Sequence, residues 1–175
     1  MKRLLASLFV FFQFVIVAEA QESFTAHGST LLYTPPDSSN WFIVNNGIDE
    51  RSQKYLLMFQ RKPIEDAQGR RVHPVIAVIC EPIKEPLDVI KYSIAARVQV
   101  PFNVKKVLSH QEGDFSYSNV IGYEGEYQKE VLHKVLIGHM RHEQAGVQII
   151  CDSSDGVYDQ VEAEMRSFMR SVKFK

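Results

Sequence analysis

Little in this chain of 175 residues announces chemistry. It has two cysteines and one tryptophan, and 20 basic residues stand against 21 acidic ones, a net charge of −1 with histidines neutral. So even a balance provides no field to gather nucleic acid or an anionic lipid surface. There is no G-x-S-x-G nucleophile elbow, no phosphate-binding loop and no dinucleotide fingerprint, which sets aside the enzymes that carry those signatures. Long hydrophobic runs are equally scarce. The one from Leu4 to Val17 is fourteen residues, broken by Ser7 and Gln13. A spanning helix needs about 20 apolar residues.

What that run does carry is an address. Lys2 and Arg3 precede it and Ala18-Glu19-Ala20 follows it. A basic start, a short apolar core and small side chains at an A-x-A ending form the pattern of a secretory signal peptide. The sequence therefore predicts cleavage between Ala20 and Gln21, residues 1–20 as leader, and residues 21–175 as one secreted or periplasmic domain, long enough to bury a sizeable core. No cysteine follows the run to take a lipid, and no second run predicts a membrane span in the mature part.

The mature chain reads mostly as strands. A polar lead from Gln21 to Ser29 precedes a short strand at Leu31-Leu32-Tyr33, which Pro35-Pro36 stops; Trp41 to Val44 is a second strand and Asn45-Asn46-Gly47 a turn. Lys54 to Arg61 is a strand, Lys62 to His73 a loop rich in breakers, and Val75 to Cys80 another strand. Leu87, Ile90, Ile94 and Val98 then recur at helical spacing, with Pro86 suited to the first turn. Strands return over Val104 to Ser109, Tyr117 to Tyr127, Val131 to His142 and Val147 to Cys151, with Gln144-Ala145-Gly146 as a hairpin turn. A closing helix carries Val157, Val161, Met165, Phe168 and Val172 on one stripe, acid early and base late, with Glu162 and Arg166 spaced to pair.

Both alternate positions of Val131 to His142 are apolar, and Val75 to Cys80 and Val147 to Cys151 look the same, as in strands covered on two sides. The predicted class is α/β in the α+β sense: an α/β/α sandwich around a mainly antiparallel sheet of about six strands.

Cys80 and Cys151 each end an apolar run. Export permits a disulfide between them if their strands are neighbours, and two buried free thiols are the alternative. A reactive cysteine ranks third, with no adjacent histidine or cationic cluster to lower either pKa. His133, His139 and His142 invite a metal site, but on a strand His133 and His139 stand six residues, about 20 Å, apart and His142 points to the other face. His142-Glu143 opens like H-E-x-x-H, yet Gly146 occupies the fifth position. Gly28-Ser29 reads as a flexible segment. Trp41 and the tyrosines 117, 123 and 127 read as packing ahead of binding hot spots.

The order of elements, from a strand ended by prolines through KYLLMFQR, HPVIAVICEP, a helix, a run of antiparallel strands and a final helix on Ser171-Val172-Lys173-Phe174, resembles the Mog1/PsbP-like superfamily over about residues 31–174. That resemblance implies a largely non-catalytic scaffold and transfers no binding residue, and the leader departs from its nuclear branch. The expected function is that of an exported non-enzymatic accessory domain without a cofactor, binding another envelope or secreted protein and no nucleic acid. Two alternatives remain open. One is a small-ligand or metal binder, using the space between the sheet and the helix from Leu87 to Val98 or the histidine segment. The other is a hydrolase whose residues only the fold assembles.

Overall fold

The computed structural model of the chain describes residues 20–84, 87–99 and 101–175. The signal pattern from Lys2 to Glu19, and Pro86, lie outside the described residues. Ala20 and Gln21 are exposed and precede the first strand.

Antiparallel strands make up about half of the described residues. β3 (Trp41–Asp49), β4 (Lys54–Arg61), β7 (Val75–Pro82), β8 (Asn103–Leu108), β9 (Val120–Gln128), β10 (Leu132–His142) and β11 (Ala145–Ser154) form seven strands in the order β3-β4-β7-β11-β10-β9-β8. β1 (Glu22–Ala26), β2 (Ser29–Tyr33) and β12 (Lys173–Phe174) form a second sheet, and β5 (Ile64–Glu65) with β6 (Arg71–Val72) a small hairpin. The helices are α1 (Val89–Gln99), α2 (Asp155–Tyr158) and α3 (Glu162–Ser171). The class is thus mixed α and β with a dominant antiparallel sheet, one strand larger than the expected six.

Register explains which residues form the core. Leu57, Val78 and Ile149 stand side by side across β4, β7 and β11, as do Phe59, Ile76 and Cys151. Side chains alternate across a strand, so these residues share one face. α3 covers that face: the Cys151 thiol lies 3.9 Å from the Met165 carbonyl, and Phe168 meets Phe59 edge-on at 5.5 Å. The small sheet packs there too, with Phe24 stacked on Tyr55 at 4.2 Å and Tyr33 edge-on to Phe59 at 6.2 Å. α1 lies on the other face, where Tyr92 fills the space a side chain at Gly146 would need, 2.6 Å from that position.

The closing stripe holds in full, since Val157, Val161, Met165, Phe168 and Val172 are all buried. It is carried by two helices, because the chain tightens between them: Gln160 N–H bonds to Val157 C=O and Val161 N–H to Tyr158 C=O. The Arg166 guanidinium bonds Glu162 at 2.7 Å as the spacing predicts, and also Glu124 of β9 at 2.6 Å.

Several expectations are corrected. The polar lead is strand β1, because Phe24 and Ala26 alternate inward, and His27-Gly28, both at positive φ, make the turn into β2 in place of a flexible segment. Asn45-Asn46-Gly47 is no turn. β3 runs through it, pairing Asn46 with Leu57 and Gly47 with Leu56, and reverses only after Asp49, whose carboxylate accepts the N–H groups of Arg51 and Ser52. The β10–β11 reversal falls at Glu143-Gln144, ahead of Ala145-Gly146, which already pair with β10. Double-sided cover holds for Val135, Leu136 and Ile137 of β10, all buried; in β7, Val75, Ala77 and Ile79 are only half-buried.

The cysteines are free and buried. Their strands are neighbours, yet Cys80 stands opposite Val147 and Cys151 opposite Ile76. Four residues of strand separate the two, about 13 Å. That is beyond the reach of a disulfide, so the bridge left open by the sequence is not made. Burial pushes the Cys80 thiol up to about 12 and raises Cys151 further. In the folded protein neither should react with a thiol reagent at pH 8. In guanidinium without reductant both should label, read as a mass increase of two adducts; a denatured chain that labels only after reduction would refute this register.

Candidate functional site

An edge strand of the large sheet leaves apolar side chains uncovered. β3 is an edge strand of the seven-stranded sheet, paired among the described residues only with β4, and a nine-residue edge presents a row of backbone N–H and C=O groups to whatever lies beside it. Natural edges are commonly guarded by lysine, proline or brevity. This one carries Phe42, Ile43, Val44 and Ile48, each between 42% and 58% exposed. A register shift between Ile43 and Asn45 marks a bulge at Val44. Trp41 anchors the strand's start, its indole N–H donating to Glu164, which also accepts two bonds from Arg61 at 3.2 Å.

Beside β3 the sheet face is only partly covered. Met58, Ala77 and Ile150 form one row across β4, β7 and β11, and Leu56 and Ile79 begin the next. All five are half-buried, because α1 sits farther along, over β9 and β10. α1 adds to the apolar surface. Ile90, Ile94 and Val98, expected to face the core, are at least 59% exposed, and Tyr92, Ser93 and Ala96 are buried instead. The reason lies beneath the helix, where the sheet offers a polar floor that a hydroxyl can bond and an aliphatic stripe cannot.

That floor is His139, Tyr123, Gln148 and Glu81. The Ser93 hydroxyl lies 2.9 Å from His139 Nδ1 and 2.7 Å from the Tyr123 hydroxyl. The Tyr92 hydroxyl donates to Glu81 at 2.8 Å, the Gln148 amide donates to the same carboxylate at 3.0 Å, and Lys54 pairs with it at 2.7 Å. Burial, aided by the Arg97 cation and opposed by Glu81, pushes the His139 pKa down to about 4. Burial also works to raise Glu81, but its bonds from Lys54, Tyr92 and Gln148 outweigh that and hold it below the usual glutamate value. A serine beside a histidine has the composition of a nucleophile and its base. Ser93 has no exposed surface, however, so the cluster ties α1 to the sheet and offers nothing to a substrate in this conformation.

The three sequence histidines part company. His139 is the buried one. His142 lies on the opposite face, stacked on Phe174 at 4.9 Å and 3.2 Å from the Ser29 hydroxyl through Nδ1. His133 shares the face of His139 but sits at the far end of β10, where Nδ1 bonds Asp152 at 2.7 Å. Among the described residues no group of three or more histidine, cysteine, aspartate or glutamate side chains is placed to hold one metal ion. Tyr123 is buried packing under α1. Tyr127 donates to Asp152, and Tyr117 packs edge-on against Phe174 at 5.3 Å. The space between sheet and α1, the other expected ligand site, is filled by Tyr92, Ser93 and Ala96; what opens there is a shallow depression of about 280 Å³ at the helix edge.

Neither the β3 surface nor the Ser93–His139 pair was found from sequence. The β3 surface was hidden because Asn45-Asn46-Gly47 imitates a turn, and the pair because its members are 46 residues apart. No protein-family model, curated protein or solved structure matches the chain. No described helix is long and apolar enough to cross a membrane.

Proposed function

We propose that the chain is an exported, non-enzymatic protein-binding domain of the cell envelope or secretome that takes an extended segment of its partner along β3. The observation that carries this reading is the nine-residue edge strand with four exposed large apolar side chains. A partner strand laid there completes the ladder with main-chain hydrogen bonds, and its alternate side chains select the sequence. The partner's side chains then lie beside Phe42 on one face of the sheet and beside Ile43 and Ile48 on the other. The leader pattern from Lys2 to Ala20 supports the location. The layout resemblance to the Mog1/PsbP-like superfamily belongs to the same proposal, and the antiparallel sheet closed by an amphipathic helix supports it.

A photo-crosslinking side chain placed at Ile48 in the native cell should capture one protein reproducibly, and the same group at Glu112 should not. Val44→Lys combined with Ile48→Lys should reduce that capture about tenfold with an unchanged melting temperature, because lysine guards an edge without disturbing the core. Equal capture from both sites, or capture indifferent to the lysines, refutes the reading. A captured second copy of the chain would make the partner a self-association.

A further inference from the structure

A second site lies where no residue of β3 contributes. The β5–β6 hairpin, the β9–β10 turn and the end of β11 enclose a cleft of about 430 Å³, within the range of small-molecule sites. Its floor is an ordered trio. Asp152 accepts the Tyr127 hydroxyl at 2.5 Å on one oxygen and meets His133 Nδ1 at 2.7 Å on the other. The His133 ring stacks on Tyr127 at 4.9 Å, with 24° between their planes. Register builds this arrangement: Tyr127 and Ser154 stand opposite His133 on the neighbouring strands, and Asp152 is the diagonal neighbour two residues before Ser154.

Three consequences follow from the geometry. With both Asp152 oxygens occupied, the carboxylate acts inward, fixing the imidazole so that Nδ1 faces the acid and Nε2 is left for another partner. Ser154 lines the cleft, and its buried hydroxyl has no hydrogen-bond partner among the described residues, a donor left unused at the floor. The rim is cationic. Arg71 and Lys129 are exposed on different walls and form no ion pair among the described residues, whereas Arg70 is tethered to the buried Asp66 carboxylate at 2.7 Å. Glu130 is the acidic side chain of that rim. Val72, Val75 and Val131 make the rest of the wall apolar.

We infer that this cleft binds a small organic anion, a carboxylate or phosphate on a compact apolar body. Arg71 and Lys129 hold the charge, the valines cover the body, and His133, its Nδ1–H given to Asp152, donates the directional hydrogen bond from Nε2 when the ring carries both protons. The shape suits it. A bare ion leaves the valine wall wet, and a neutral molecule leaves two cations unanswered. The site is independent of the protein-binding reading, and either can fail without the other.

The test is calorimetric titration of the full exported chain with phenyl phosphate, benzoate, inorganic phosphate and benzyl alcohol, with amide shifts followed by NMR. Phenyl phosphate or benzoate should bind, and the tighter of the two identifies the oxyanion. Shifts should gather at residues 71–75, 127–133 and 152–154. Arg71→Ala with Lys129→Ala, both exposed, should weaken binding about tenfold or more with no change in melting temperature. His133→Gln should weaken it independently of those charges. Four results would overturn the inference: no binding by any probe, benzyl alcohol binding as well as the anions, inorganic phosphate binding as tightly as the organic anions, or an affinity indifferent to the double variant.

Discussion

Phe168→Ala lowers the stability of the folded domain by about 3–5 kcal/mol, the usual cost of truncating a buried phenylalanine that its surroundings cannot collapse onto. Phe168 is the point at which three layers meet. Its ring lies 5.5 Å from Phe59 on the large sheet and 6.0 Å from Tyr33 on the small one, and its backbone belongs to α3. The loss is therefore shared by all three and cannot be relieved by moving one of them. Urea denaturation followed by far-UV circular dichroism should show the midpoint falling with the slope unchanged. A loss under about 1 kcal/mol would mean that α3 does not pack on Phe59 and Tyr33 as described. Ile94→Ala, on the exposed stripe of α1, serves as the contrast and should change stability by less than about 0.5 kcal/mol.

Between pH 6.5 and about 4 the domain should lose about 3 kcal/mol of stability through His139 alone. The folded pKa of His139 is depressed below its ordinary value, first by burial and then by Arg97, with Glu81 pulling the other way. The unfolded chain therefore takes up the proton at higher pH than the folded one does. Full stability is present above the unfolded value of 6.5 and drains away as pH falls through the folded value near 4. Glu81, also depressed, adds to the loss as pH falls below 4.5. The groups facing His139 are Ser93, Tyr92 and Arg97 from α1, Tyr123 from β9 and Glu81 from β7. His139→Phe should be less stable at pH 7, because the buried Ser93 hydroxyl loses a hydrogen-bond partner, and its stability should be nearly flat from pH 7 to 5. Equal pH slopes in the two proteins would show that His139 is not held neutral.

His139 also shows where sequence reading stops. Its alternation on β10 placed it correctly on the same face as His133 and opposite His142, because period two is a local property of an extended backbone. That its neighbour would be Ser93 depended on which side of α1 turned inward. The spacing of Ile90, Ile94 and Val98 argued for the opposite side, and hydrophobic periodicity is a sound guide only when the surface beneath is apolar. Here Glu81, Gln148 and His139 make that surface polar, and β7, which brings Glu81, is distant in sequence from the β10–β11 hairpin that carries the other two. Asn45-Asn46-Gly47 failed in the same way: its turn chemistry is real, but pairing with Leu56 and Leu57 overrides it.

What the chain alone determined were the features set by neighbours within a few residues. The strand Lys54–Arg61 matches its prediction, the strands after residue 103 match apart from their ends, and the closing stripe of Val157, Val161, Met165, Phe168 and Val172 is buried as its spacing requires. The antiparallel class follows from those elements. Only tertiary structure decided the strand order β3-β4-β7-β11-β10-β9-β8, and with it everything that depends on register. It set Cys80 against Val147 and so kept both thiols free, left β3 on an edge with its apolar side chains uncovered, and brought Tyr127, His133 and Asp152 to one cleft. Strand order relates segments as far apart in the chain as β7 and β11, is fixed by the packing of the whole sheet against α1, α3 and the small sheet, and is not encoded by the local alternation that sets which face a side chain takes.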